Sequence, residues 1–327
     1  MIESLLSVVG QRGVDALAFL LAFALTALMD SVFHDKLPHD HGREFAVNGA
    51  LSKGKARGSG LIFVLCIALV SLAFLPFKVE YVIYTILLIA SMLSGYFDDA
   101  AETAWNEYKK GIIDFAIAIV AGVTYLNFNG CGVNFLQWSF TLPYAVYLLL
   151  IVILIWTSIN VVNCTDGVDG LAASTTMPVC IFFAVLSILW GERFLSLGVF
   201  ASGIAGGLLG FLIYNFNPAK VFMGDTGSLF LGGAVAALAF AYDMPLILVT
   251  VGIMYIVEAL SDIIQVGYFK LTHGKRVFKM SPFHHHLEMG GWTGHKWKEK
   301  QIVALFAGVT VLFAVLSFIG VFHRFGA

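Results

Sequence analysis

The chain has 327 residues, of which 59% are hydrophobic and 12% charged, with a mean hydropathy of +0.87. Soluble domains carry about 25% charged residues, so this composition excludes a soluble globular protein and points to an integral membrane protein. The formal net charge of −2 supplies no basic footprint, so nucleic acid is not an expected partner.

A membrane-spanning helix needs about 20 mostly apolar residues. Ten stretches are candidates, near 14–33, 58–77, 79–97, 111–126, 142–160, 171–190, 194–212, 228–243, 245–269 and 302–322. The first follows Glu3, Arg12 and Asp15 rather than a basic leader and has no small-residue cleavage site, so a retained helix is expected. With ten spans, the odd-numbered loops hold Lys36, Arg43, Lys53, Lys55, Arg57, Lys109, Lys110, Lys220, Lys270, Lys275, Arg276, Lys279, Lys296, Lys298 and Lys300, against Arg12, Lys78, Arg193 and Arg324 on the other side. The positive-inside rule then puts the odd loops in the cytoplasm and both termini outside. Cys66, Cys131, Cys164 and Cys180 would fall on opposite faces or inside helices, without metal-type spacing, so no disulfide framework is implied. No repeat of 20–50 residues is present, and residues 1–327 read as one all-α, polytopic transmembrane domain.

Four polar clusters interrupt the apolar pattern, and on this count all four lie on the cytoplasmic face. Charges near a bilayer are costly, which argues for chemistry there. Asp98 and Asp99 end the third stretch; adjacent acids at a helix terminus repel unless a cation or proton is shared, although plain hydration also relieves them. In the fifth loop Asn160, Asn163, Asp166 and Asp169 recur every third residue, with Gly167 and Gly170 permitting close backbone approach. That run offers the amide donors, carboxylate acceptors and backbone N–H groups that a nucleotide or sugar phosphate needs; local turn hydrogen bonding is the plainer explanation.

The seventh loop carries Asn215 and then Phe222-Met-Gly-Asp225-Thr-Gly-Ser228. Magnesium favours one or two protein carboxylates plus phosphate and water, so Asp225 is a candidate anchor, and a helix cap is the alternative. Near the end stands Pro282-Phe-His284-His285-His286-Leu-Glu288. Adjacent residues do not share a helix face, which favours phosphate contact over a zinc site. Within the ninth stretch, Glu258 and Asp262 lie on one helical face, for packing or for a proton path.

Together these residues resemble the polyprenyl-phosphate N-acetylhexosamine-1-phosphate transferase superfamily, and Ser281-Pro-Phe-His-His-His-Leu-Glu288 resembles the histidine signature of its muramoyl-pentapeptide branch. The resemblance implies ten spans in a bacterial inner membrane and transfer of phospho-N-acetylmuramoyl-pentapeptide from its UDP derivative to undecaprenyl phosphate, with Mg²⁺ bound and UMP released. It implies that Asp98, Asp99 and Asp225 are catalytic and that Asp225 and Asp166 hold the metal. It further implies that Asn160, Asn163, Asp166, Gly167, Asp169, Asn215, Phe222, His284, His285 and His286 bind substrate, with Phe222 against the uracil ring.

Two places depart from the family pattern. Ala101-Glu102-Thr103 stands where lysines commonly follow the acidic pair, leaving Lys109 and Lys110 as the nearest cations. The first loop reads Lys53-Gly-Lys55-Ala-Arg57-Gly-Ser-Gly60 where a Thr-Pro-Thr segment is common, so Lys53, Lys55 or Arg57 is expected to replace it as a phosphate contact. The rivals are a sister N-acetylglucosamine-1-phosphate transferase and, in another class, a transporter using Glu258 and Asp262. Membrane lipid is an expected partner, and a homodimer is left open.

Overall fold

A helix that is apolar all round must be buried, either in protein or in lipid, and both outcomes occur here. The structure is a computed structural model that describes residues 2–40, 53–74, 78–101, 103, 105–135, 138–191 and 194–322. Arg43, Arg193 and Arg324 of the charge count, and Glu102, lie outside the described residues. Along the chain come α1 (Ile2–Phe33), α2 (Gly60–Phe74), α3 (Val79–Asp99) and α4 (Glu107–Asn129), then a hairpin of β1 (Gly132–Phe135) and β2 (Trp138–Thr141). There follow α5 (Tyr144–Thr165), α6 (Leu171–Trp190), α7 (Leu195–Asn215), α8 (Gly224–Ala241), α9 (Leu248–Val251), α10 (Ile253–Leu271), α11 (Phe283–Glu288) and α12 (Glu299–Val321).

Among the described residues, eight helices are long and apolar enough to cross a membrane, and α9 with α10 makes a ninth if counted as one broken span. The chain is a multi-pass membrane protein. Two of the ten expected stretches differ from simple spans. The second is a helix of 15 residues, about 22 Å long at 1.5 Å per residue and shorter than a bilayer core of about 30 Å. The ninth is bent by 83° at Gly252. There the backbone leaves helical geometry (φ −96°, ψ 21°), and a Cβ at this residue would lie 2.6 Å from the Leu248 carbonyl oxygen. Glycine is a common site for such a kink.

Helix α8 is buried nearly throughout and packs on α3 and α5, while α7 lies along α1 and α6 lies against α7 and α12. Between helices in lipid there is little hydrophobic gain to be had, so close van der Waals approach over small residues does the packing. A Cβ at Gly232 would meet the Ser158 carbonyl oxygen at 2.5 Å, and one at Gly206 would meet that of Phe19 at 2.1 Å. Outward, Leu69, Ile112, Ile263 and Leu316 are exposed apolar side chains, as a lipid-facing surface requires.

The up-and-down order brings the C-terminal ends of α3, α5 and α7 to the same end of the bundle as the N-terminal ends of α4, α6, α8 and α12. Polar contacts cross between these ends: Asp225 N–H to Asp99, Lys110 to Asp225, Asn163 to Ser228, Gly170 N–H to Asn215, and Asn217 to Glu299. At the opposite end the hairpin, which periodicity did not anticipate, is tied to the end of α8. Tyr125 Oη and Asn134 Nδ2 both donate to the Asp243 carboxylate, at 2.8 and 2.5 Å.

Gly232→Val should force α5 and α8 apart and cost about 1–3 kcal/mol or more, read as a lowered thermal midpoint of the detergent-solubilised protein. Gly267→Val, where nothing lies within 4 Å of the added Cβ, is the matched control and should leave the midpoint in place.

Candidate functional site

The site forms where the end of α3 meets the start of α8. Contact this close needs Gly95, because a Cβ there would lie 2.3 Å from the Asp225 carbonyl group. The first turn of a helix has N–H groups without intrahelical partners and a partial positive charge. In α8 they are met by Asp99: its carboxylate accepts from the Asp225 N–H at 3.1 Å, the Thr226 N–H at 2.9 Å and Thr226 Oγ1 at 2.6 Å. Asp99 thus caps α8 from another helix. Gly224, at φ +66°, completes the fit, since a Cβ there would fall 2.2 Å from Asp99 Oδ2.

The neighbours Asp98 and Asp225 are also buried, and three carboxylates in one place repel unless cations stand between them. Lys110 of α4 places its Nζ 2.5 Å from Asp98 Oδ2 and 2.8 Å from Asp225 Oδ2. Arg57 places Nε 2.8 Å from Asp99 Oδ1 and Nη2 3.5 Å from Asp225 Oδ1. Burial works against the charge on Arg57, but Asp99 and Asp225, with Asp40 and Asp98, outweigh it and push its pKa above the ordinary value, so the guanidinium stays charged. Asp98 is fixed on its other oxygen by the Trp105 N–H at 2.6 Å. Each of the two cations therefore bridges a carboxylate of α3 to Asp225.

Arg57 reaches this position through backbone pairing of its loop with residues 221–223. The Phe222 N–H donates to the Ala56 carbonyl, while the Ser59 and Gly60 N–H groups donate to the carbonyls of Phe222 and Met223. Lys55 lies with its Nζ 5.4 Å from the centre of the Phe222 ring. Of the three first-loop cations, Arg57 meets the carboxylates, Lys55 meets Phe222, and Lys53 is exposed in the turn before them.

The Asn and Asp run serves partly to assemble the loops. Asn163 Nδ2 donates to Ser228 Oγ at 2.9 Å, joining the end of α5 to the first turn of α8, and Asp166 caps α5 just beyond it. Asn215, fully buried, accepts from the Gly170 N–H at 3.0 Å and donates to the Val221 carbonyl at 2.9 Å. Asp169 accepts from the Ala219 N–H at 2.8 Å and from Asn217 Nδ2 at 3.3 Å. Asn160 donates to the carbonyl of Trp156, one turn back on its own helix. In this arrangement Asn215 and Asp169 act as braces between loops, a role that residue type and spacing did not specify.

The three histidines begin the short helix α11 and diverge, as adjacent helical positions must. His284 Nδ1 lies 2.8 Å from Glu258 Oε2, and its backbone N–H donates to Glu258 Oε1 at 3.2 Å. His285 Nδ1 lies 2.6 Å from Glu288 Oε2. His286 Nδ1 accepts from the Lys279 N–H at 3.0 Å, and burial together with the Lys279 charge lowers its pKa, which keeps the ring neutral with its proton on Nε2. The Nε2 atoms of His284 and His286 are buried without a hydrogen-bond partner. The first of them lies over Gly167, where a Cβ would come within 2.3 Å, so α11 rests on the fifth loop. Glu258, ambiguous from spacing, is the anchor of His284.

Among the described residues no three His, Cys, Asp or Glu side chains form a ready metal cage. The donor set nonetheless fits a hard divalent cation that keeps water and phosphate ligands. Among the described residues the three carboxylates of Asp98, Asp99 and Asp225 are paired with two cations, Lys110 and Arg57, which leaves negative charge in excess for such an ion. The bend at Gly252 borders an apolar cavity of about 250 Å³ lined by residues that include Leu154, Val161, Val235, Leu248, Ile256 and Ile263.

Residues 81–243 match the model of Glycosyl transferase family 4. Over 322 residues, 92% of this chain and 95% of the relative, the chain is 38% identical to the phospho-N-acetylmuramoyl-pentapeptide-transferase of Clostridium botulinum. It is 35% identical to that of Acetivibrio thermocellus over 94% of this chain and 95% of the relative. The counterpart from Clostridium acetobutylicum is 48% identical over a shorter stretch, 62% of this chain and 63% of the relative. With a helical membrane bundle and these carboxylates, cations and histidines gathered at one end of it, the chain belongs to the phospho-N-acetylmuramoyl-pentapeptide-transferase family.

Proposed function

We propose that this protein transfers phospho-N-acetylmuramoyl-pentapeptide from its UDP derivative to undecaprenyl phosphate at the cytoplasmic face of a bacterial plasma membrane, releasing UMP, and that residues 1–327 act as one catalytic domain. The observation that carries the reading is Asp225, held between Lys110 and Arg57 beside Asp98. A polyprenyl chain is apolar and its phosphate anionic. The cavity between α5, α8, α9 and α10 suits the chain, and the charged cluster suits the head.

In the reaction an oxygen of the lipid phosphate attacks the sugar-proximal phosphorus of the UDP substrate. A new P–O bond forms, the bond to the UMP phosphate breaks, and UMP leaves with that electron pair. The second pKa of a phosphate monoester is about 6, so the attacking oxygen is already largely ionised at neutral pH. The obstacle is repulsion between anions, and the site answers it with placed charge. Lys110 and Arg57 offer N–H donors to phosphate oxygens. Asp98, fixed by Trp105 and Lys110, orients the lipid phosphate, and Asp99 holds the start of α8 so that Asp225 stays in register. His286 Nε2–H is a neutral donor, and His284, with Nδ1 on Glu258, has Nε2 free for the sugar or the diphosphate. Phe222 and Lys55 offer a ring and a cation to the uridine end.

Asp225, with Asp166 at the end of α5, would hold Mg²⁺. When bound, the ion supplies charge neutralisation at the diphosphate.

The direct test is UMP release by the purified protein with undecaprenyl phosphate, offering UDP-N-acetylmuramoyl-pentapeptide and UDP-N-acetylglucosamine separately; release is expected with the first alone. Release with the second substrate would reassign the donor, and release with neither would sink the proposal.

The two buried acids should separate by phenotype. Asp225→Asn is expected to cut turnover at least about 100-fold, in line with the loss of one group that stabilises charge in the transition state, while the thermal midpoint holds. Asp99→Ala should lower the midpoint as well, because losing a cap costs about 0.5–2 kcal/mol.

If the histidines bind substrate and no zinc, activity lost to EDTA should return fully with Mg²⁺ alone. A strict requirement for added Zn²⁺ would reverse that assignment.

A further inference from the structure

One turn beyond Lys110, α4 carries an acid that the reaction as described leaves without a task. Asp114 is completely buried, and neither carboxylate oxygen has a hydrogen-bond partner. A charge placed this way inside a membrane protein is expensive and is usually retained for a function. It faces Asn160 of α5, and Lys110 and Asp225 are the charges close enough to act on it. Residues four apart on a helix are neighbours, with about 5–6 Å between Cβ atoms. Helical side chains lean toward the N-terminus, so the Asp114 carboxylate leans over the turn that carries Lys110.

The site also poses a problem of occupancy. Both oxygens of Asp225 are engaged, Oδ2 with Lys110 at 2.8 Å and Oδ1 with Arg57 at 3.5 Å. A divalent cation arriving on Asp225 meets an ammonium already there, and like charges cannot share one carboxylate oxygen cheaply. Lys110 has three N–H donors and spends two, on Asp98 and Asp225. Its remaining donor has a buried acceptor on the same helix face, the Asp114 carboxylate, which among the described residues meets no charged partner and has only the Asn160 side chain against it.

We propose that Asp114 receives the Lys110 ammonium when a divalent cation takes Asp225, so that Lys110 stays on Asp98 and gives up only its contact with Asp225. Asp114 is in this sense a positioning residue. The inference rests on the reading of Asp225 as the metal anchor and adds to it the group that clears the anchor. It also gives a use to the position of Lys110: with Ala101-Glu102-Thr103 after the acidic pair, this lysine has to neutralise the acids without a metal and yield to a metal when one binds.

The test is Mn²⁺ binding to the purified full-length protein, measured as loss of the free-ion EPR signal, beside the Mg²⁺ dependence of UMP release. Asp114→Asn is expected to weaken Mn²⁺ binding about tenfold, the scale of one coupled pair. The half-saturating Mg²⁺ should shift by a similar factor, with kcat retained at saturating metal, and Asp114→Glu should restore both. Removing a negative charge could weaken cation binding at a distance, so the decisive arm is a double-mutant cycle. In a Lys110→Gln background there is no ammonium to receive, and Asp114→Asn should add no further weakening. Equal weakening in both backgrounds would overturn the proposal, as would an Asp114→Asn protein that binds Mn²⁺ like the wild type. Wild-type protein that binds no Mn²⁺ would instead remove the metal anchor itself, and this inference with it.

Discussion

The constraint on which the site depends is electrostatic: three carboxylates meet where the end of α3 abuts the start of α8, in a region that water reaches poorly. Each acid must be matched, because an unpaired buried charge costs several kcal/mol. Asp99 is matched by the N-terminus of α8, Asp98 by Lys110 and a backbone N–H, and Asp225 by both cations. Satisfying these groups fixes the geometry of four chain segments relative to one another. The first loop must deliver Arg57, α4 must present Lys110 inward, and glycine must stand at positions 95 and 224. The same pairing that makes the end of the bundle stable gives it placed positive charge and an acid able to exchange its partner.

A second chain of contacts carries α11 into the site. Glu258 lies in the broken helix that also walls the apolar cavity, and it grips both the ring and the backbone of His284. His284 in turn rests on Gly167 in the fifth loop. A single buried acid thus links the lipid-facing wall to the loop that follows α5. The bend at Gly252 matters for the same reason, since a straight α9–α10 span would close the space between α5 and α10 that the cavity occupies.

Much of this was legible in the sequence because lipid imposes simple rules. Apolar length placed the helices, and the clusters at Asp98, Asn160 to Asp169, Asp225 and His284 to His286 fell at one end of the bundle, where the structure joins them. The less legible parts depend on three-dimensional neighbours. Lys53, Lys55 and Arg57 have equivalent charges along the chain, and only the backbone pairing of their loop with residues 221–223 sets Arg57 against the acids. Asn215 and Asp169 look like ligand contacts by residue type, and the structure shows a further role that residue type does not reveal: both amide atoms of Asn215 and Oδ2 of Asp169 hold neighbouring loops. The break at Gly252 was hidden because a lone glycine within an apolar run also fits a straight span.

Asp114 shows how the start of an apolar stretch can conceal a buried acid. At the start of an apolar stretch an acid is ordinarily an interfacial residue, with its carboxylate in water. Here the helix begins earlier, at Glu107, so Asp114 lies two turns inside and is completely buried. Two turns of helix move a side chain about 10 Å deeper, which is enough to change an exposed charge into one that needs a partner. The start of α4 is capped by Asn106, whose side chain accepts from the Lys109 N–H, and from that start Lys110 stands level with Asp98 and Asp225 and bridges them. Once Lys110 is so placed, the helical repeat puts Asp114 under it, and the arrangement of the acids on α3 and α8 extends to a fourth carboxylate on α4.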